Sequence, residues 1–292
     1  MHGWEKFARS VHERNSAAIA VTGSSSKLLS SEYSTLLTGR HINTTVFPLS
    51  FKEYLQFKKI EVKNHAGIIE KRLLIPKKLK EYLEFGGFPK PTTIEDLSLK
   101  KELLSTYFDD IMQKDIQKKH AIKESQKLDD LGKYYMTNNA RLASFNKIKE
   151  TIGLSLDSVQ RFSKYMEEAY LVFFASIFSY SKKVQIVTPK KVFPIDTGMR
   201  NAVSFRFSKD YGWNAENCVF LHLKRTDHEV FYYSDKNSEC DFIAKKQNKR
   251  IAIQVAWDIE NQKREINGLL KAMKAAKIKE GIILTQEIEE NI

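Results

Sequence analysis

Two helix-forming stretches, Ser144 to Ile152 and Leu156 to Ala169, are separated only by Gly153-Leu154-Ser155. Ser144 is placed to cap the first stretch. Gly153 ends it, because glycine takes the left-handed conformation of a helix C-terminus at no steric cost, and the Ser155 hydroxyl caps the second. A short turn containing glycine between two helices is that of a helix-turn-helix. In the second helix Leu156, Val159, Phe162 and Met166 recur on one face, which leaves Ser158, Gln160, Arg161 and Lys164 on the other.

The residues that follow predict a hairpin. Tyr170 to Phe178 is aromatic and β-branched, as a strand requires, and Lys191-Val192-Phe193 begins a return path after a basic linker that runs from Lys182-Lys183 to Lys190. Helix-turn-helix plus hairpin reads as a winged helix. In such a unit Ser158, Gln160, Arg161 and Lys164 would face base edges in the major groove, while Lys182, Lys183 and Lys190 would neutralise phosphates. The whole chain points the same way, since 48 Lys and Arg against 36 Asp and Glu leave a net charge of +12, which favours a polyanion such as DNA as partner. A spacer or protein-contact role for the unit, and a basic surface that only maintains solubility, remain alternatives.

Several classes of protein are excluded. With 292 residues the chain has room for two or three modules with their own cores. It contains no apolar run near the ~20 residues that span a bilayer, and Met1 to Arg14 is polar, without the apolar core of a secretion signal. The expectation is a cytoplasmic protein with no membrane partner. Cys218 and Cys240 form no C-x-x-C pair, so zinc and redox chemistry are not indicated and both read as buried thiols. His222 and His228 are not at i, i+4 spacing, which argues against a metal role.

Ahead of these elements, Ala17 to Val21 forms a short apolar run that stops at Thr22-Gly23-Ser24-Ser25, as a buried parallel strand does at its carboxyl edge. Ser26 can cap a helix with Leu28, Leu29 and Tyr33 on one side before the Thr38-Gly39-Arg40 break. Thr44 to Phe47 reads as a second strand, and Ser50 with Glu53 has the spacing of a capping box. The strings TGSSSKLL, LTGR and PLSFKEYL resemble a family of prokaryotic AAA-type ATPases that carry a carboxyl-terminal nuclease-like domain. That resemblance implies nucleotide-sensing roles for Thr22 and Ser24 near a γ-phosphate and an arginine-finger role for Arg40. It also implies a lid whose Gly-Gly-x-Pro turn is matched by Gly86-Gly87-Phe88-Pro89, after a helix over Leu79 to Phe85.

The chain departs from that family where nucleotide is gripped. A phosphate loop needs closely spaced glycines followed by Lys and Ser or Thr, so that backbone N–H groups and an ammonium surround the phosphates. The sequence has none: the one Gly-Lys pair, Gly132-Lys133, is followed by Tyr134. Asp109-Asp110 does not replace the magnesium-holding acid, because Leu104, Tyr107, Phe108, Ile111 and Met112 recur at helical spacing around it. A truncated or split gene product is therefore expected, with no cofactor for this chain alone. ATP and Mg²⁺ belong to the intact family, and an amino-terminal ATPase half or an intact homologue would act in trans.

From Asn214 to Leu284 the pattern is helix, three strands, helix, strand, with Glu216 on the first helix and Asp241 opening the second strand. This order resembles the restriction-endonuclease-like fold, in which acids hold Mg²⁺ and a lysine two residues beyond the third acid stabilises developing charge. The matching catalytic positions are Glu216, Asp241, Gln254 and Ala256, with Glu216 and Asp241 as weak metal ligands. A neutral Gln stands where an acid is needed and Ala where the lysine is needed, so an inactive site is expected.

The fold expected is thus α/β and multi-domain: a partial AAA core over residues 1–58, lid helices over 59–100, a linker helix and winged helix-turn-helix over 101–198, and a restriction-endonuclease-like α/β domain over 199–292. The expected activity is DNA association. A Mg²⁺-dependent DNA nuclease and a subunit that completes a split ATPase are the alternatives.

Overall fold

The computed structural model describes residues 4–14, 17–24, 42–62, 67, 71–204, 210–257 and 262–286. In chain order its helices are α1 (Trp4–Glu13), α2 (Phe51–Phe57), α3 (Leu74–Phe85), α4 (Pro89–Thr93), α5 (Leu97–Asp110), α6 (Ser125–Thr137), α7 (Phe145–Ile152), α8 (Leu156–Glu168), α9 (Lys182–Val187), α10 (Thr197–Val203), α11 (Tyr211–Arg225) and α12 (Gln262–Ala276). Helix α5 runs on as a π-helical stretch over Ile111–Lys118. The strands are β1 (Leu142–Ala143), β2 (Val172–Ile177), β3 (Lys190–Pro194), β4 (Glu229–Ser234), β5 (Glu239–Lys246), β6 (Lys249–Ala256) and β7 (Gly281–Thr285). The protein is mixed α/β.

All seven strands form one sheet in the order β1-β3-β2-β4-β5-β6-β7. β3 lies antiparallel between β1 and β2. β4, β5 and β6 form an antiparallel run, and β7 joins β6 in parallel. The two halves meet where β2 pairs in parallel with β4, at Ser176 opposite Phe231 and Ile177 opposite Tyr232. The hairpin is therefore built into the sheet that carries the later strands, and does not stand apart from it.

Local chemistry explains the helix boundaries. The Ser50–Glu53 capping box forms at the start of α2, with the Ser50 N–H donating to Glu53 Oε2 at 2.7 Å and the Glu53 N–H donating back to Ser50 Oγ at 3.3 Å. Gly153 adopts φ +72° and closes α7, and Ser155 Oγ accepts from the Ser158 N–H at 3.0 Å to open α8. Ser144 occupies the N-cap of α7, but its side chain makes no capping bond. The amphipathic pattern around Asp109 is a helix, with Leu104, Phe108 and Met112 buried in α5 and its continuation.

Three clusters of apolar side chains hold the elements together. The largest runs from Leu104 to Ile253 and includes Phe193 stacked on Phe220 with ring centroids 4.1 Å apart, joining β3 to α11. A second packs Leu269, Ala272 and Ala276 of α12 onto Cys240, Ile243 and Ala252 of β5 and β6. Leu270, which the sequence pattern places on the apolar stripe of α12, is 57% exposed. A third joins Tyr54, Leu55, Tyr82 and Leu83 to Tyr211 and Trp257.

The front of the chain departs from expectation. Residues 17–23 and 42–47 have no strand structure, and Ala17 to Ala20 are exposed. A parallel strand needs a hydrogen-bonded neighbour and cover on both faces. Among the described residues neither segment has such a neighbour, so β-propensity alone cannot order it.

Candidate functional site

Sequence-distant residues meet where β3, α11, β5, β6 and α12 converge. Lys191 Nζ, from β3, donates to Glu216 Oε1 of α11 at 2.7 Å and to Asp241 Oδ1 of β5 at 3.1 Å. All three side chains are 9% exposed. Gln254 Nε2, from β6, donates to Asp241 Oδ2 at 2.8 Å and to Glu265 Oε2 of α12 at 2.6 Å. The Val255 N–H adds a third donor to Asp241, at 2.9 Å to Oδ2, and the Asp241 N–H donates to Gln254 Oε1 at 3.2 Å. The expected trio Glu216, Asp241 and Gln254 is thus brought together.

Two members of this cluster, Lys191 and Glu265, carry no motif that marks them as site residues in the sequence. Lys191 lies 25 and 50 residues from its acids, so no spacing connects them. The one local cue is a lysine inside the run Lys191-Val192-Phe193-Pro194, where β3 is buried almost throughout.

Burial and charge set the protonation of the cluster. Burial disfavours the Lys191 ammonium, but Glu216 and Asp241 outweigh it and hold the pKa above the ordinary lysine value. Burial, then repulsion from Asp241, pushes Glu216 up to about 8 in spite of Lys191. Burial and Asp241 also raise Glu265. Among the described residues no group of three His, Cys, Asp or Glu is placed to hold a metal ion. Ala256 follows on β6, and the ammonium beside Asp241 comes from Lys191 of β3.

The residues expected on a nucleic-acid face divide differently. Gln160, Arg161 and Lys164 are exposed along α8, with Arg161 paired to Asp157 at 3.1 Å. Val159, Phe162 and Met166 anchor the opposite side of that helix in the core. Ser158 does not join the exposed face: it is buried, and its Oγ accepts from the Ser155 hydroxyl at 3.0 Å. Leu156, expected on the apolar face, is 36% exposed at the first turn of α8. Lys182 and Lys183 are exposed on α9, between the two hairpin strands, and Lys190 begins β3 half-buried.

At the front, Thr22 and Ser24 line a cavity of about 650 Å³ together with Val46, Phe47, Phe88 and Tyr170. Ser24 Oγ donates to Asp115 Oδ1 at 2.8 Å. Arg40 lies outside the described residues. The Gly86-Gly87 turn is tied down elsewhere, since Asp196 Oδ2 accepts from the Gly87 N–H at 2.7 Å while Oδ1 accepts from the Met199 N–H at 2.8 Å.

Similarity to known proteins covers both the front and the back of the chain. Residues 1–55 match the AAA domain. The chain is similar to an AAA-like ATPase family. Residues 76–210 and 211–290 match two domains of unknown function, DUF8612 and DUF4143. An uncharacterized protein of Methanocaldococcus jannaschii is 38% identical over 94% of the chain and 63% of its own length. An uncharacterized protein of Haemophilus influenzae is 30% identical over 92% of the chain and 66% of its own length. A second M. jannaschii protein is 22% identical over 98% of the chain and 64% of its length. The chain therefore spans a little under two thirds of these relatives, and no solved structure matches it. No helix among the described residues is long and apolar enough to cross a membrane.

Proposed function

We propose that the chain is a cytoplasmic DNA-associating member of an AAA-like ATPase family, in which residues 125–194 act as a winged helix-turn-helix and the Asp241 cluster is a nuclease-like site that does no chemistry. The observation that carries the reading is the division of α8. Gln160, Arg161 and Lys164 face solvent on a helix whose other side is fixed in the core by Val159, Phe162 and Met166. The order α6, β1, α7, α8, β2, β3, with β3 between β1 and β2, supports it, because a helix-turn-helix is followed directly by an antiparallel hairpin that pairs with the short strand β1. Lys182 and Lys183 then supply cations where the hairpin strands connect.

Binding of this kind is dominated by release of condensed counterions and weakens steeply with salt. Titrating a fluorescent duplex at low and at physiological ionic strength tests it. Affinity is expected to fall by orders of magnitude between the two, and to fall at both in Arg161→Ala/Lys164→Ala. Absence of binding at low salt overturns the proposal.

The Mg²⁺-dependent nuclease reading is disfavoured by the Lys191 ammonium, which already satisfies Glu216 and Asp241. A second reading, a subunit that completes an ATPase held by another chain, is favoured by the front segment. There Ile42 and Val46 are 93% and 90% exposed, and Val46 lines the cavity together with Thr22 and Ser24. Under that reading Thr22, Ser24 and Arg40 sense nucleotide bound by the partner, with ATP and Mg²⁺ as the partner's cofactors. Co-purification of the chain with an intact homologue, with ATP turnover measured against the homologue alone, separates the two readings.

A further inference from the structure

The restriction-endonuclease-like resemblance implies a divalent cation at Glu216 and Asp241, and the residues present do not fit one. Asp241 Oδ2 is already taken by two donors, the Gln254 side chain and the Val255 N–H. Glu265, the acid nearest to a third ligand, has Oε2 engaged by the same Gln254 amide at 2.6 Å. The facing oxygens of Glu216 and Asp241 share one ammonium, at 2.7 and 3.1 Å. Mg²⁺ requires near-octahedral oxygen ligation at about 2.0–2.1 Å, and a dication drawn to these two oxygens would lie against a buried positive charge.

We infer that Lys191 is the resident cation of this site: its ammonium takes the electrostatic place of a divalent metal between Glu216 and Asp241, and the chain holds no metal there. Burying an ammonium costs several kcal/mol unless opposite charges and hydrogen bonds surround it. Lys191 is buried, and the Asp241 carboxylate and Glu216 are its hydrogen-bond partners, so the side chain is held by the acids and they by it. The consequence for chemistry is definite. An ammonium neutralises and orients carboxylates, but it does not lower the pKa of a bound water as a Lewis-acidic metal does. The consequence for architecture is that one charge fastens the hairpin strand β3 to α11 and β5. The cluster thereby anchors the hairpin that carries Lys182 and Lys183, with no metal required.

The test is Mn²⁺ uptake by the full chain, read by electron paramagnetic resonance of free Mn²⁺, together with thermal unfolding with and without the ion. Wild type is expected to take up no Mn²⁺ that Asp241→Asn abolishes. Lys191→Met leaves Glu216 and Asp241 facing each other without a cation, and is expected to gain Mn²⁺ affinity at least ~10-fold above wild type, with a rise in Tm on adding the ion. Both gains should vanish in Lys191→Met/Asp241→Asn. If Lys191→Met does not fold even with Mn²⁺, Lys191→Gln, which keeps a donor and removes the charge, takes its place under the same expectations. The inference is overturned if wild type binds Mn²⁺ in a manner that Asp241→Asn abolishes, or if the folded, charge-free variant takes up none.

Discussion

Asp196 and Gly87 are joined across 109 residues by a hydrogen bond of 2.7 Å, from the Gly87 N–H to the Asp196 carboxylate. The same carboxylate caps α10 through the Met199 N–H. A Cβ placed on Gly86, which has φ +74°, would lie 2.0 Å from Asp196 Oδ1, and one on Gly87 would lie 2.2 Å from the Leu49 carbonyl. The Gly-Gly pair is thus the space that lets a buried acid reach the backbone of this turn.

Burial pushes the Asp196 carboxyl up to about 6, against the N–H donors that favour its charge. A carboxyl raised above its unfolded value of about 3.9 favours the fold in its protonated form, so its contribution is complete below about pH 4 and is lost as pH rises through 6. That contribution amounts to about 3 kcal/mol. Asp196→Asn is expected to flatten the pH dependence of stability between pH 4 and 6 relative to wild type, as read from urea midpoints. Equal slopes in the two proteins would refute it.

Glu216 makes the corresponding prediction at higher pH. With its carboxyl pushed up to about 8 by burial and Asp241, its contribution is present below the unfolded value of about 4.3 and declines as pH rises through 8. Glu216→Gln keeps the shape of the neutral acid, and its stability is expected to decline less than that of wild type between pH 6 and 8. Urea unfolding at those two pH values is sufficient to decide it.

Gly198 opens α10 where that helix crosses the end of α3, and a Cβ there would lie 2.0 Å from the Phe85 carbonyl oxygen and 2.7 Å from the Gly86 nitrogen. These neighbours are backbone and cannot swing aside. Gly198→Ala is expected to destabilise the protein by about 1–3 kcal/mol, in the range of overpacked cores. A Tm equal to that of wild type would show that the two helices lie further apart.

Lys182 and Lys183 lie on α9, which buries no residue. Lys182→Ala/Lys183→Ala is therefore expected to leave Tm unchanged while lowering the slope of log affinity against log salt by about 0.9 for each phosphate that is no longer neutralised. An unchanged slope would remove the connection between β2 and β3 from the proposed DNA interface.

The elements governed by neighbours in the chain were legible without coordinates. The Gly153 terminus, the Ser155 cap, the Ser50–Glu53 box and the buried stripe Val159, Phe162, Met166 all follow from interactions within a few residues. So do strands β4 to β7, whose apolar runs end at turns. Glu216, Asp241 and Gln254, the positions that the resemblance picked out, lie side by side in the structure.

Tertiary structure alone decided what those elements do to one another. Ser158 is buried and Leu156 partly exposed, the reverse of what helical periodicity predicts. The runs at 17–21 and 44–47 stayed without strand structure because a strand is a property of a pair. The parallel pairing of β2 with β4, which makes one sheet of two patterns, has no local signature. Lys191 reached its acids across 25 and 50 residues. Hydrogen bonding and helical periodicity act over a few residues and are written in the chain. Electrostatic pairing in a low-dielectric interior acts over distances in space, and only the folded backbone sets those distances.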